Sequence, residues 1–113
     1  MKLIIALIQP DKLDEVHEAL VAADITRVTA SRCSGQGRAH GSELYRGQEV
    51  VASRTPKVRL EIAVNDEFVQ PCIDAIVSAA RHGSGERGDG KIFVLPLERV
   101  VRISTGEEGG GAI

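Results

Sequence analysis

The sequence predicts an α+β fold built on one antiparallel sheet, and three observations carry the prediction. Residues 3–8, Leu-Ile-Ile-Ala-Leu-Ile, form an unbroken apolar run of the kind that fills a central strand. Val58, Leu60, Ile62 and Val64 alternate with Lys57, Arg59 and Glu61, the period of a strand with one buried face. After each of these runs apolar residues recur at helical spacing, first Leu13, Val16, Leu20 and Ala23, then Val69, Cys72, Ile73, Ile76 and Ala80. The order is strand, helix, strand, and then strand, helix, strand again. Two such units in so short a chain give the ferredoxin-like βαββαβ arrangement: a four-stranded antiparallel sheet, two helices on one face, and a long loop between the halves.

Taken in order, Pro10 and Asp11 stop the first strand and start a helix whose Asp14, Glu15 and Glu18 point away from the apolar stripe. Acidic residues in a first turn suit the positive end of the helix dipole. Thr26, Val28 and Thr29 make 26–34 a weaker strand of small and β-branched residues. Asn65 or Asp66 is predicted to cap the second helix. Pro71 is awkward inside that helix, because it removes a backbone donor and crowds the preceding turn. The helix is therefore expected to start near Phe68 or to have an irregular first turn. Ile92 to Leu95 form the fourth strand, stopped by Pro96. Leu97 to Ile103 read as a short extended piece, ahead of a C-terminal tail (104–113) whose Glu107 to Gly111 stretch reads as frayed.

At 113 residues the chain has room for one domain with a modest core. A formal net charge of −2 gives no electrostatic footprint for nucleic acid or an anionic membrane surface. The apolar runs are too short to span a bilayer, and no leader with a cleavage site opens the chain. Cys33 and Cys72 lack C-x-x-C spacing and read as small buried hydrophobes in a reducing compartment, so a cytoplasmic location is expected. The aromatics are Tyr45, Phe68 and Phe93, without tryptophan. Such sparse aromatic burial makes association through extra apolar surface the expected compensation.

Two polar stretches are left for function. Residues 35–56 join the halves and are long for a connection in a compact domain, a property of functional or disordered loops. Arg38, Glu43, Arg46, Glu49, Arg54 and the aromatic Tyr45 make this stretch either a solvated loop or an arm that touches a partner. The second stretch is 83–91, Gly-Ser-Gly-Glu-Arg-Gly-Asp-Gly-Lys, which leads into the fourth strand. Its glycines leave backbone N–H groups unshielded, Lys91 adds a point charge where the strand begins, and Arg102 follows one strand later. That is the make-up of a phosphate cradle.

Two familiar motifs match the glycine stretch formally and are rejected. Gly83-x-Gly85-x-x-Gly88 imitates a dinucleotide fingerprint, and Gly85-x4-Gly90-Lys91 imitates a P-loop. Each of those must follow a strand and open a helix, whose N-terminus holds the phosphate. Here a helix precedes and a strand follows, and Ile92 replaces the hydroxyl that a P-loop needs for magnesium. His17, His40 and His82 do not pair at i, i+4, and no Ser-His-Asp or Cys-His arrangement stands out. Neither a catalytic nor a dedicated metal site is predicted.

Five motifs occur together in one order: Gly35-x-Gly37-Arg38, Glu43-Leu44-Tyr45-Arg46-Gly47, Pro56-Lys57, Gly88-Asp89-Gly90-Lys91-Ile92-Phe93-Val94, and Arg102-Ile103-x-Thr105-Gly106-Glu107-Glu108. So spaced, they make the chain closely resemble the PII signal-transduction (nitrogen regulatory) proteins over essentially its whole length. The resemblance implies a homotrimer of ferredoxin-like subunits that binds ATP or ADP in clefts between subunits, with magnesium able to accompany ATP. It implies a regulator of nitrogen or related metabolism rather than an enzyme. The 35–56 arm would be the family's T-loop, docking on an ammonium channel, a metabolic enzyme or a regulator. Gly88, Asp89, Gly90 and Lys91 match the phosphate loop, Arg102 a second phosphate contact, and Gly37 and Arg38 contacts at the T-loop base. Thr29 and Glu61 fall where the family lines the adenine and ribose pocket. Lys57 matches the lysine that pairs with 2-oxoglutarate, and Glu43, Tyr45, Arg46, Glu49 and Arg54 would face the partner.

The chain departs from that family pattern at several places. Ser104 stands where many members have a phosphate-binding arginine, and the Ser84 to Arg87 segment is longer than usual, with Glu86 or Arg87 where a lysine is common. Ala39 replaces a glutamine whose oxygen completes the magnesium shell, Val50 a tyrosine that many bacterial members have uridylylated, and Gln48 a serine that some phosphorylate. Weak 2-oxoglutarate binding and no modification at those positions are expected. Two other classes compete. A small nucleotide-hydrolysing or transferring enzyme would use the same glycine loop but lacks a recognisable base or nucleophile. An RNA-binding module of this fold needs aromatic stacking positions on its sheet, and the strands offer only Phe93.

Overall fold

The unbroken apolar run near the start of the chain becomes the strand on which the sheet is built. The computed structural model describes residues 1–36, 43–45, 48–50 and 54–113, the two short middle segments as backbone. In chain order the elements are β1 (Lys2–Ile8), α1 (Leu13–Ala22), β2 (Thr29–Gly35), β3 (Glu43–Tyr45), β4 (Gln48–Val50), β5 (Thr55–Val64), α2 (Val69–Ala80) and β6 (Gly90–Pro96). Four of the strands form one sheet in the order β2-β5-β1-β6, and every neighbouring pair is antiparallel. This is the ferredoxin-like arrangement that the alternation of patterns predicts. Within the long connection, β3 and β4 pair as a separate two-stranded antiparallel ladder, which the sequence did not signal.

β1 is apolar on both faces: one packs on the two helices, and the other lies in the middle of the sheet's helix-free side. Ile4, Ala6 and Ile8 are buried opposite Ile62, Leu60 and Val58 of β5, and they meet Val16 and Leu20 of α1 and Cys72, Ile76 and Ala80 of α2. Each large side chain so buried stabilises the fold by roughly 1.5–3 kcal/mol relative to exposure. The alternate residues Leu3, Ile5 and Leu7 sit on the helix-free face, where the register sets Leu3 beside Leu95 and Ile5 beside Phe93. Phe93 remains 45% exposed and Leu95 40%. An apolar patch is therefore left open on the side of the sheet away from the helices.

The ends of the helices depart from the predicted caps. α1 closes through Asp24, whose φ of 64° makes it the described non-glycine residue in left-handed backbone. The Ile25 N–H reaches Leu20 O at 2.9 Å and the Asp24 N–H reaches Val21 O at 3.0 Å, a Schellman closure that tucks buried Ile25 against buried Leu20. A 3₁₀ turn, Asp66–Phe68, precedes α2. Pro71 is thus the third α-helical residue, where the missing N–H would have had no helical partner in any case. Neither expected cap forms. Asn65 makes no side-chain capping bond and donates instead from Nδ2 to Gly110 O at 3.1 Å, while Asp66 accepts from Met1 N at 2.9 Å and Lys2 Nζ at 3.1 Å.

Four further expectations are corrected. The second strand begins at Thr29, not 26, because Ile25 to Val28 cover the end of α1 before the chain reaches the edge of β5. Leu97 to Ile103 do not form a strand; their one ladder contact is an isolated bridge from Val101 to Glu108. The tail is not frayed. Gly109 N–H donates to Val100 O, Arg27 Nη1 reaches Ile113 O at 2.6 Å, and Ala112 is buried. Cys33, read as buried, is only half-buried because β2 is an edge strand, whereas burial of Cys72 pushes its thiol up to about 11. Among the described residues no helix is long and apolar enough to cross a membrane.

Candidate functional site

α2 stops at Ala80, and Arg81 takes an extended backbone (φ −73°, ψ 135°) that swings the chain into the glycine loop. Two turns follow: the Gly85 N–H donates to His82 O at 2.9 Å, and the Asp89 N–H to Glu86 O at 3.2 Å. The loop must then drop into register with β1, where Gly90 pairs with Ile8. Gly90 has a φ of 115°, and a Cβ on it would stand 1.8 Å from Leu7 O, so no other residue fits there. Lys91 follows, exposed, its side chain without a hydrogen bond or ion pair among the described residues.

The Gly88 carbonyl is the junction of the region. It accepts from Gln9 Nε2 at 2.7 Å and from Lys57 Nζ at 2.9 Å. The Lys57 stem also runs along Gly35, where a Cβ would lie 3.2 Å from Lys57 Cγ. Gly35 ends β2, and Thr55 at the start of β5 closes on it, its Oγ1 donating to Gly35 O at 3.3 Å. The base of the long connection and the glycine loop therefore meet through one lysine.

His82, to which the sequence assigns no role, organises the loop. Its Nδ1 lies 2.6 Å from Asp89 Oδ1 and its Nε2 lies 2.9 Å from Asp11 Oδ2. Asp89 Oδ2 also accepts the Glu86 N–H at 2.7 Å. Its hydrogen bonds to Asp11 and then to Asp89 hold His82 above its ordinary pKa. The Glu86 N–H and then His82 hold Asp89 below the usual carboxylate range, and His82 does the same for Asp11. The signal for this cluster was present as two carboxylates at positions 11 and 89. Their convergence on His82, however, depends on contacts across 71 and 7 residues.

The predicted nucleotide residues fall into two groups. Thr29 faces Glu61 across β2 and β5, and Glu61 accepts from Arg59 Nε at 3.0 Å. Lys57 and Glu61 share the helix-free face of β5, about 13 Å apart at the rise of a strand. Leu7 sets Arg59 on one side and Lys91 on the other, with Lys57 nearer the loops, while Thr29 and Glu61 lie in the Ile5 row further along the same face. Arg102 is not brought to this group within one chain. Its Nη2 donates to Gly111 O at 3.2 Å and Ile113 O at 3.4 Å, both in the tail. Asp89 is in the loop, but its carboxylate is turned onto His82 and the Glu86 N–H.

Gly37, Arg38 and Arg46 lie outside the described residues, as do Ala39 and His40. Glu43 and Tyr45 fall in β3, Glu49 falls in β4, and Arg54 is exposed just before β5. Among the described residues, no group of His, Cys, Asp and Glu is placed to hold a metal.

The model of the nitrogen regulatory protein P-II family matches residues 1–107. The nitrogen regulatory protein P-II of Azospirillum brasilense is 52% identical over 114 aligned residues, covering 100% of both chains. The nitrogen regulatory protein P-II 1 of Escherichia coli is 49% identical with the same coverage. The nitrogen regulatory protein GlnK1 of Methanosarcina mazei is 48% identical, over 100% of this chain and 97% of its own.

Proposed function

The chain belongs to the nitrogen regulatory protein P-II family, and on that premise we propose that it is an adenine-nucleotide-sensing regulator, a homotrimer that binds ATP or ADP beside the glycine loop and docks its 35–56 arm on partner proteins. The observation that carries the reading is the bond from Lys57 Nζ to Gly88 O. It places the base of the arm and the candidate phosphate loop in direct contact, so a ligand seated on one is felt by the other.

The residues present suit a nucleotide. Backbone N–H groups of the glycine loop and the Lys91 ammonium, unpaired among the described residues, receive the phosphates, and charge-assisted contacts of this kind are worth roughly 1.5–3 kcal/mol each. Thr29 and Glu61, opposite each other on β2 and β5, take the adenine and ribose end, with the Glu61 carboxylate as a hydroxyl acceptor. Asp89 acts by shaping the loop. Leu3, Ile5, Leu7, Phe93 and Leu95 on the helix-free face support association with further copies of the chain. Arg102, held by its own tail, then reaches the phosphates of a neighbouring subunit. Magnesium accompanying ATP would be held mainly by phosphate oxygens, and 2-oxoglutarate would meet Lys57.

A cytoplasmic regulator of nitrogen metabolism, with an ammonium channel, a metabolic enzyme or a regulator as partner, follows from the same reading. Hydrolysis is disfavoured because both ring nitrogens of His82 face carboxylates and the Asp89 carboxylate is engaged by His82 and the Glu86 N–H. Calorimetric titration with ATP, ADP and AMP, with and without magnesium and 2-oxoglutarate, tests the proposal. Saturable heats with ATP and ADP are expected on a particle of trimer mass. Absence of heat with both nucleotides overturns it.

A further inference from the structure

We propose that His82 is the clamp that gives the glycine loop its binding shape, its imidazolium joining Asp89 in the loop to Asp11 on the turn after β1, so that loss of one proton slackens the loop. The nucleotide half of this proposal rests on the function proposed above; the clamp itself does not. A neutral imidazole carries one N–H, yet Nδ1 and Nε2 stand 2.6 and 2.9 Å from carboxylate oxygens. Only the doubly protonated ring donates at both. Once neutral, it must turn a lone pair on one carboxylate, and one of the two ties fails.

The ties matter because they span three elements. Asp11 belongs to the turn Pro10–Lys12, His82 follows the last residues of α2, and Asp89 precedes Gly90 at the start of β6. Asp89 further gathers the N–H groups of His82 and Glu86, so its carboxylate fixes both turns of the loop. The charged groups around the ring are Asp11 and Lys12 on that turn, Arg81 beside it in sequence, and Glu86, Arg87 and Asp89 in the loop. Lys12 is drawn away by Glu15 at 3.3 Å. The two carboxylates that raise the affinity of His82 for its proton are Asp11 and Asp89.

The direction of the response follows. His82 lies above its ordinary value near 6.5, so the clamp is complete below about pH 6.5 and is lost as pH rises through the raised value. Asp11 and Asp89 lie below the carboxylate range, so acid undoes the clamp only under about pH 4. The loop therefore loosens on the alkaline side.

The test is two-dimensional amide and histidine-ring NMR of the full chain without nucleotide, titrated from about pH 5 upward, beside ATP affinity over the same range. The amides of Glu86, Asp89 and Gly90 are expected to move with the His82 ring at one midpoint above its ordinary value. Asp11→Asn, at an exposed position, lowers that midpoint, and His82→Gln flattens the loop's response. ATP affinity in the unmodified chain falls a few-fold across the midpoint relative to His82→Gln, a ratio that cancels titration of ATP itself. Loop amides indifferent to the His82 ring overturn the clamp even if ATP binds. Loop amides that follow the ring in a chain that binds no nucleotide uphold the clamp and overturn the nucleotide reading.

Discussion

Lys57 Nζ donates to the main-chain carbonyl of Gly88 at 2.9 Å, a bond that crosses from the first residues of β5 to the glycine loop. The same carbonyl takes Gln9 Nε2 from the end of β1, so three separate parts of the chain converge on one acceptor. A carbonyl held from two sides keeps the following residues in place, and those are Asp89, Gly90 and Lys91. The geometry of the candidate phosphate site is thus set from outside the loop as well as by its glycines.

The first prediction concerns Lys91. Its ammonium makes no bond or ion pair among the described residues, so removing it should leave folding almost unchanged. Lys91→Ala is expected to weaken ATP about tenfold or more, the loss of one charge-assisted phosphate contact. Calorimetry with matched thermal melts checks both halves. An unchanged ATP affinity removes Lys91 from the site.

Gly90 gives a stability prediction with a built-in contrast. A Cβ there meets Leu7 O at 1.8 Å, so Gly90→Ala must force β1 and β6 apart and is expected to cost at least about 2 kcal/mol. Gly83 also has a positive φ, 57°, but open space around it, so Gly83→Ala should cost only about 1 kcal/mol. Urea unfolding of the two variants settles the comparison; equal losses would show that strain in φ, not contact with β1, governs both sites.

Asp24 is strained where glycine would not be. Its φ of 64° completes the turn out of α1, and the described structure gives its side chain no hydrogen bond or ion pair there. Asp24→Gly should relieve the left-handed strain while giving back part of the gain as unfolded-state entropy, for a net stabilisation of about 0.5–1 kcal/mol. A higher denaturant midpoint at unchanged slope is the expected observation, and a lower midpoint would falsify the assignment of strain to this residue.

How much of this was legible in the sequence varies with the range of the contacts involved. β1, β5 and both helices follow from local period, because burial imposes a spacing that any short window displays. β2 was misplaced at its start because Thr26 and Val28 have strand-like side chains, although the chain there is still closing α1 through Ile25. The tail read as frayed from its glycines, since nothing local announces that Asn65 and Arg27 hold Gly110 and Ile113 from far up the chain. The candidate site shows the same division. Lys91 and the glycines stand out in the sequence itself, whereas the roles of His82 and Asp11 emerge only when α2 delivers one beside the other.

The last prediction is that 2-oxoglutarate binds weakly, with adenine nucleotides as the main signal. In the family that this chain belongs to, the 2-oxo acid is expected to chelate a magnesium ion already held by ATP, with a glutamine oxygen completing six-fold coordination. Magnesium demands near-ideal oxygen octahedra. Ala39 stands at that glutamine position and offers no oxygen, and the neighbouring His40 offers a nitrogen that magnesium disfavours. Lys57 would still attract the distal carboxylate, but its ammonium already donates to Gly88 O, so binding must first give up that bond. A half-exposed ion pair returns only about 0–1 kcal/mol, too little to offset both losses. Titration of 2-oxoglutarate into protein saturated with Mg-ATP should therefore show weak binding, improved several-fold by Ala39→Gln. Lys57→Met should abolish the residual binding and, by releasing the Gly88 carbonyl, also weaken ATP. Tight binding to the unmodified chain, unimproved by the glutamine, would place the effector on ligands other than these.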